Sequence, residues 1–345
     1  MSLEETLDRF LLQIEEDLQQ VVRIPHHSLA PYYGIMRYHL GWLDEELQAI
    51  QANSGKRLRP LICLLACEAA GGHALQALPA ASALELVHNF SLVHDDIQDA
   101  SHFRRGRRAV WDIWGTPHGI NVGDGLFVLA RLSLHRLSDR DVPLGRQQAA
   151  TLALDRACLA LCEGQYFDMT FEESLDVGLD QYQGMIRNKT AALLAASAQM
   201  GAIVATEDVA CIDGYYRFGE NLGMAFQVQD DILGAWGDPQ VTGKSAATDI
   251  RDKKKTLPVV YALNHSNHTA ARKLARLYAH EGPLELAQIE SVLDILDKVG
   301  ARQYSEEMAE TFHRQALRSL DQSGIRNAAQ SHLRELAASL LGRAT

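Results

Sequence analysis

The sequence has 345 residues, 47 % of them apolar and 22 % charged, which supplies a sizeable core and excludes a disordered or fibrous chain. A formal charge of −11 repels phosphate backbones at long range, so nucleic acid is excluded as a partner while a small phosphorylated ligand held by local cations is not. The N-terminal segment is acidic and amphipathic and carries no signal-peptide pattern, and Ala191–Ala205 is too short to span a bilayer; the expectation is a cytosolic protein that is not integral to a membrane.

Read in chain order, the dominant period is helical. Leu3, Leu7, Phe10, Leu11, Ile14 and Leu18 form one apolar stripe. Further stripes predict helices over 34–51, 60–70, 78–99, 118–137, 144–170, 180–204 and 208–235, then 255–279, 284–299, 302–321 and 326–341. Alternating strand patterns and hairpin dipeptides are nearly absent. Short breaks at Gly71-Gly72, Thr116-Pro117, Val142-Pro143, Gly237-Asp238-Pro239 and Gly282-Pro283 suit neighbouring helices of one bundle. The pattern predicts a single all-α domain over 1–345, with long helices around a common centre. The pairs Cys63/Cys67 and Cys158/Cys162 each share a helix face and read as buried reduced thiols, since no cluster completes a zinc site.

The segment Ser91-Leu-Val-His-Asp95-Asp96-Ile-Gln-Asp99 ends a strongly apolar helix with three aspartates, which are poor helix formers. Asp95 and Asp99 are four apart, so their carboxylates leave one face about 6 Å from each other. His88 precedes them by two turns on that face. Hard oxygens in this arrangement suit Mg²⁺, which takes its remaining ligands from water and substrate phosphates. A second apolar helix closes in Phe226-Gln-Val-Gln-Asp230-Asp231-Ile-Leu-Gly234, with Asp238 and Asp249 beyond. Two such acidic ends need cations to complete them. A di-iron bundle would be built on Glu-x-x-His pairs, and neither aspartate cluster contains one.

The cations that match lie nearby. Lys56 and Arg59, in Ser54-Gly-Lys-Arg-Leu-Arg-Pro60, are three apart at a helix start. Phe103-Arg-Arg-Gly-Arg-Arg108 follows the first acidic cluster and offers bidentate phosphate contacts. Lys189-Thr190 opens an apolar face, Gln227 precedes Asp230 by three, and Lys244 and Lys253-Lys254-Lys255 follow the second cluster. Acidic sites for metal beside separate basic sites for phosphate imply two phosphorylated substrates.

In this order GKRLRP, ELVHNFSLVHDDIQD, RRG, VGDGLF, CEGQYFD, KT, FQVQDD, GDPQVTGK and a lysine cluster ending in TLP run from Gly55 to Pro258. The set resembles the trans-type polyprenyl diphosphate synthases, which include farnesyl and geranylgeranyl diphosphate synthases. The resemblance implies an isoprenoid-synthase-like helical bundle around a central cavity, acting as a homodimer. It implies that Asp95 and Asp99 bind Mg²⁺ with Asp96 in support, and that Asp230 binds a further ion helped by Asp231 and Asp249, about three ions in all. It gives Arg104, Lys189, Lys244 and Lys254 to the allylic diphosphate, and Lys56, Arg59, His88 and Arg105 to isopentenyl diphosphate. Thr190 and Gln227 would face the developing carbocation, and Phe90 and Ser91 would help set the floor of the pocket for the growing chain. Gly234 replaces the family's usual Asp, and Ser54 its usual Gly; activity is expected to survive both. The lysine loop leaves Lys253 and Lys254 as alternatives.

The expected chemistry is magnesium-dependent condensation of an allylic diphosphate with isopentenyl diphosphate, with released diphosphate as the proton acceptor. One aromatic and one small residue before Asp95 look most like geranylgeranyl synthases, with farnesyl and longer products as alternatives. A class I terpene cyclase would not need the Lys56/Arg59/His88 site. A non-catalytic partner subunit would not need both acidic motifs, and a bare helical scaffold would bury neither.

Overall fold

A computed structural model of the chain describes residues 2–52, 55–237, 247–265, 268–280 and 282–341. The architecture is all-α, and the strands among the described residues are one two-residue pair. The chain forms two compact units: 1–155, 196–213 and 325–333 make the first, and 156–195, 214–324 and 334–345 the second.

In the first unit, α1 (Leu3–Val21) begins at a capping box. Ser2 Oγ accepts the Glu5 N–H at 3.2 Å, and the Glu5 carboxylate accepts the Ser2 N–H at 2.8 Å. Helix α2 (Ala30–His39) stops twelve residues short of the predicted 51. The reason is local. The Asp44 carboxylate takes the N–H groups of Glu46 and Gln48 at 3.1 and 2.7 Å, an Asx turn that competes with helix, and Leu47 is left-handed at φ +60°. Helices α3 (Leu58–Ala69) and α4 (Leu78–Gln98) bury residues almost all round and form the centre of this unit. Helix α4 ends beside a hairpin of β1 (Phe103–Arg104) and β2 (Arg107–Arg108), which pair antiparallel. The short α5 (Val110–Trp114) leads into α6 (Thr116–His135), which lies close on α4 through glycines. A Cβ at Gly119 would stand 2.8 Å from Ile97 Cδ1, and one at Gly123 would fall on the His94 ring.

Helix α7 (Leu144–Glu172) follows, and α8 (Leu179–Ile186) of the second unit runs through a π turn, Arg187–Ala191, into α9 (Ala192–Ala205), whose residues from Ala196 on belong to the first unit. The sequence pattern predicts one uninterrupted helix there. Helices α10 (Val209–Trp236), α11 (Thr248–Arg251), α12 (Leu257–Leu263), α13 (His268–Tyr278), α14 (Leu286–Lys298), α15 (Ala301–Gln322) and α16 (Ala328–Leu341) complete the chain. The second unit holds two apolar clusters, one around Ile250, Val292 and Leu296 and another around Tyr182, Val228 and Leu257. No helix among the described residues is long and apolar enough to cross a membrane. Cys63, Cys67, Cys158 and Cys211 are buried, whereas Cys162 is exposed, contrary to the sequence reading. It lies between Leu159 and Tyr166 on an α7 face that is turned outward, with those two residues 62 % and 65 % exposed.

Candidate active site

Helix α4 delivers the first acidic cluster. Asp95 is partly exposed, Asp99 caps the helix end in the open, and Asp96 is buried between them. Arg104, on β1, reaches back: its Nε donates to Asp96 Oδ1 at 2.7 Å and its Nη2 to Asp95 Oδ2 at 3.3 Å. Burial pushes the Asp96 carboxyl up to about 6 despite that arginine, and its Oδ2 meets no partner among the described residues. Asp96 thus anchors Arg104, and Asp95 and Asp99 present the more accessible oxygens.

The hairpin that carries Arg104 closes with φ +54° at Arg105 and +76° at Gly106, the left-handed pair a tight two-residue hairpin needs. Arg107 fixes it, donating to the carbonyls of Tyr38 at 2.9 Å and Leu43 at 2.6 Å while its guanidinium lies over the Tyr38 ring. Arg105 turns the other way, over Gly55: a Cβ there would stand 2.9 Å from Arg105 Nη2. This explains the glycine before Lys56.

Around that glycine is a basic pocket. Arg57, itself in no predicted role, is buried and bonded to Glu15 at 2.7 Å and Glu85 at 2.8 Å. It fixes the turn from which Lys56 projects into solvent and Arg59 turns inward. Burial lowers the Arg59 guanidinium to about 10, and its Nε has no partner among the described residues. His88, on α4, is held well below the ordinary imidazole range by burial and then by Arg59, Arg105, His39 and Arg57. Arg59, His88 and Arg105 are therefore brought together in the first unit, and Lys56 stands exposed beside the glycine that Arg105 covers.

One turn along α4, Ser91 Oγ donates back to the His88 carbonyl at 2.8 Å, and the Phe90 ring meets Phe127 of α6 and His94 edge-on at 5.2 and 5.5 Å. Phe127 lies within the VGDGLF motif but was given no role by the sequence.

The second unit forms a cavity of about 120 Å³ lined by Lys189, Thr190, Gln227, Asp230, Asp231, Asp249 and Lys254, with Asp168 and Tyr182 also on its wall. The π turn supplies Lys189 and Thr190; such single turns recur at functional sites because they re-aim side chains. Glycines on both sides let backbones approach it: a Cβ at Gly164 would stand 2.8 Å from Asn188 C, and one at Gly223 2.5 Å from Ala191 Cα. Lys189 Nζ is ion-paired with Asp168, the last residue of CEGQYFD. Thr190 Oγ1 donates to Gln227 Oε1 at 2.7 Å, and Gln227 Nε2 donates to Asp231 Oδ1 at 3.0 Å. Asp231 also accepts from the Tyr182 hydroxyl and from the Leu257 N–H at 2.7 Å. Its carboxyl is pushed up to about 7 by burial, against those hydrogen bonds. Asp231 is thus a saturated, buried brace, and Asp230 beside it is exposed.

A side chain at Gly234 would have to displace the Asp249 carboxylate. A Cβ built there would stand 2.7 Å from Asp249 Cγ and nearer still to Oδ2. The Asp249 carboxylate already fills the space that a side chain at 234 would take. In the lysine loop, Lys253 donates to the His280 carbonyl, leaving Lys254 on the cavity wall. Lys244 lies outside the described residues. Among those residues no three carboxylate, imidazole or thiol groups stand close enough to enclose a metal by themselves.

A family model described as polyprenyl synthetase matches residues 41–296. The chain is 39 % identical over 293 residues to the geranylgeranyl diphosphate synthase of Mycobacterium tuberculosis (strain ATCC 25618 / H37Rv), spanning 85 % of this chain and 81 % of that one. It is 37 % identical over 312 residues to the (2E,6E)-farnesyl diphosphate synthase of the same strain, spanning 90 % and 85 %. The crystal structure of geranylgeranyl pyrophosphate synthase from Corynebacterium glutamicum, complexed with isoprenyl diphosphate and magnesium, matches with a TM-score of 0.80 at 26 % identity, over 99 % of this chain and 98 % of that one. The chain belongs to the polyprenyl synthetase family and is one of its prenyltransferases.

Proposed function

We propose that the protein condenses an allylic diphosphate with isopentenyl diphosphate and that its product is geranylgeranyl diphosphate. The observation that carries the two-substrate reading is the contrast between its cation groups. Arg104 and Lys189 are bonded to carboxylates of the acidic motifs and CEGQYFD, whereas Arg59 and His88 lie in a separate, buried basic pocket. The first kind suits a phosphate that arrives with metal, the second a phosphate held directly by the protein.

Asp95 and Asp99 in one unit and Asp230 in the other would hold Mg²⁺. Their hard oxygens fit that ion, and the absence of a closed three-group cage among the described residues fits a metal that takes most of its ligands from phosphate and water. When bound, the ions neutralise charge on the departing diphosphate. The Corynebacterium structure, which holds magnesium and isoprenyl diphosphate, supports this assignment.

The protein's own groups supply the rest. As the allylic C–O bond breaks, its electron pair leaves with the diphosphate, and Arg104, Lys189 and Lys254, with Lys244, stabilise that anion. Lys56, Arg59, His88 and Arg105 hold isopentenyl diphosphate while its double bond attacks the allylic carbon. The proton lost on closing the new double bond goes to the released diphosphate. Thr190 and Gln227, fixed to each other and to Asp231, present their dipoles to the cation.

The Phe90 and Phe127 rings support the product assignment, because together they would end the space for the growing chain while Ser91 leaves room beside it. The relatives are named for both farnesyl and geranylgeranyl products, so the test is direct. Chromatography of the dephosphorylated alcohols should show mainly C20 from wild type and longer chains from Phe90→Ala. A C15 product, or a distribution that Phe90→Ala leaves unchanged, would remove the basis for that floor. The protein would act as a homodimer, covering exposed apolar residues such as Val128 on α6 of the first unit and Leu159 on α7 in the second.

A further inference from the structure

Helix α2 ends at His39, and both of its neighbours in sequence serve as anchors. The Tyr38 carbonyl accepts Arg107 Nη1 at 2.9 Å, and the Leu40 carbonyl accepts Arg57 Nη2 at 3.3 Å. The imidazole between them is therefore bracketed by the arginine hairpin and by the basic turn before α3. Its Nε2 is shut off from solvent and has no hydrogen-bond partner among the described residues. A buried polar atom left unpaired is costly, and evolution tolerates one where a ligand completes it.

The charged groups around His39 come from three elements. Arg57 faces it from the turn before α3, Arg104, Arg105 and Arg107 from the hairpin, and His88 from α4. Glu15 and Glu85 are the carboxylates of this cluster, and both are bonded to Arg57; Arg104 is taken by Asp95 and Asp96. Four arginines, Arg105, Arg104, Arg57 and Arg107, thus face His39, and the carboxylates named here are bonded to Arg57 and Arg104 and not to the imidazole. Burial, followed by Arg105, Arg104, Arg57 and Arg107, keeps the ring neutral well below the ordinary imidazole range. A polyanion beside it would reverse that balance, because a nearby negative charge favours the protonated form.

We propose that His39 is a further residue of the isopentenyl diphosphate pocket, donating from Nε2 to the diphosphate and taking up a proton as that anion arrives. This rests on the assignment of Lys56, Arg59, His88 and Arg105 to the same substrate. His39 lies before the first of the family motifs, in the segment Met36-Arg-Tyr-His39, and for that reason the motif order gave it no role.

The test is calorimetric titration of isopentenyl diphosphate alone, with no allylic substrate present, at pH 7.5 in two buffers that differ in protonation enthalpy. Wild type should take up protons on binding. His39→Asn should lower that uptake by up to about one proton and weaken binding roughly tenfold, the loss expected for one charge-assisted hydrogen bond. His39→Gln, whose longer side chain carries its amide donor out to the Nε2 position where that of Asn falls short, should recover part of the affinity and none of the proton uptake. The KM for the allylic substrate should not change in either variant. Lys56→Ala separates this inference from the assignment beneath it. If Lys56→Ala weakens binding and His39→Asn changes neither affinity nor uptake, His39 has no such role. If Lys56→Ala also leaves binding unchanged, the pocket assignment fails and the inference with it. Wild type that takes up no proton overturns the proposal whatever the variants do.

Discussion

Gly234 and Asp249 act as a pair, and the pair changes what a substitution should do. Restoring the family's Asp at 234 appears conservative from sequence alone, and the expectation there was that activity tolerates Gly. The structure puts the Asp249 carboxylate in the space a new side chain would enter, so Gly234→Asp forces two carboxylates together. Like charges at that range disfavour joint ionisation. Gly234→Asp should lower kcat by roughly two orders of magnitude, the scale of losing one charge-stabilising contact. Gly234→Asp combined with Asp249→Gly should recover most of it, because the carboxylate is then restored from the other side. Steady-state kinetics on the two single variants and the double variant decide the matter, and additive losses would show that the two positions are independent. Site residues to which a motif assigned a role were legible in this way because each motif fixes a residue type at a spacing. Asp168 and Phe127 stand inside motifs but received no role, and Tyr182 and His39 stand outside them. Tyr182 and Asp168 work by touching Asp231 and Lys189 from distant positions, and pairing across 49 or 21 residues leaves no local pattern.

At the scale of elements, helical periodicity located most helices, since each has a face to bury and a face to expose. It failed where backbone chemistry overrides the pattern. The Asx turn at Asp44 ended α2 early, and two-residue strands are too short to show an alternation. The π turn at Arg187–Ala191 was invisible because one wide turn leaves the apolar pattern of α8 and α9 nearly intact. Periodicity also marks an apolar face without saying what covers it. Val128 and Leu132 on α6 are 53 % and 55 % exposed, and Leu159 and Tyr166 on α7 more so. If a second copy covers them, light scattering should give twice the chain mass. Val128→Glu with Leu159→Glu should then give monomers that keep the helical spectrum, since no core contact is lost. Wild type measured as a monomer would remove the dimer from the account.

For the whole molecule, charge and chemistry point in opposite directions, and the contrast is informative. The chain carries −11, yet the first unit buries Arg57 and turns Arg59 inward, and the second sets Lys189 and Lys254 on the wall of an acidic cavity. Net charge excludes a polyanionic partner only at long range; the local clusters select small phosphorylated ones. The family, the helical fold and the order of the motifs were all legible in the sequence. Product length was not, because it depends on how Phe90 and Phe127 pack across two helices.

The most direct test of the central claim is a diphosphate-release assay with an allylic diphosphate, run with and without isopentenyl diphosphate and with and without chelator. Release should require both substrates and divalent metal, and Asp95→Ala should lower it by about three orders of magnitude, as loss of transition-state charge stabilisation does. Equal release without isopentenyl diphosphate, or full activity in excess chelator or in Asp95→Ala, would contradict a metal-dependent two-substrate condensation.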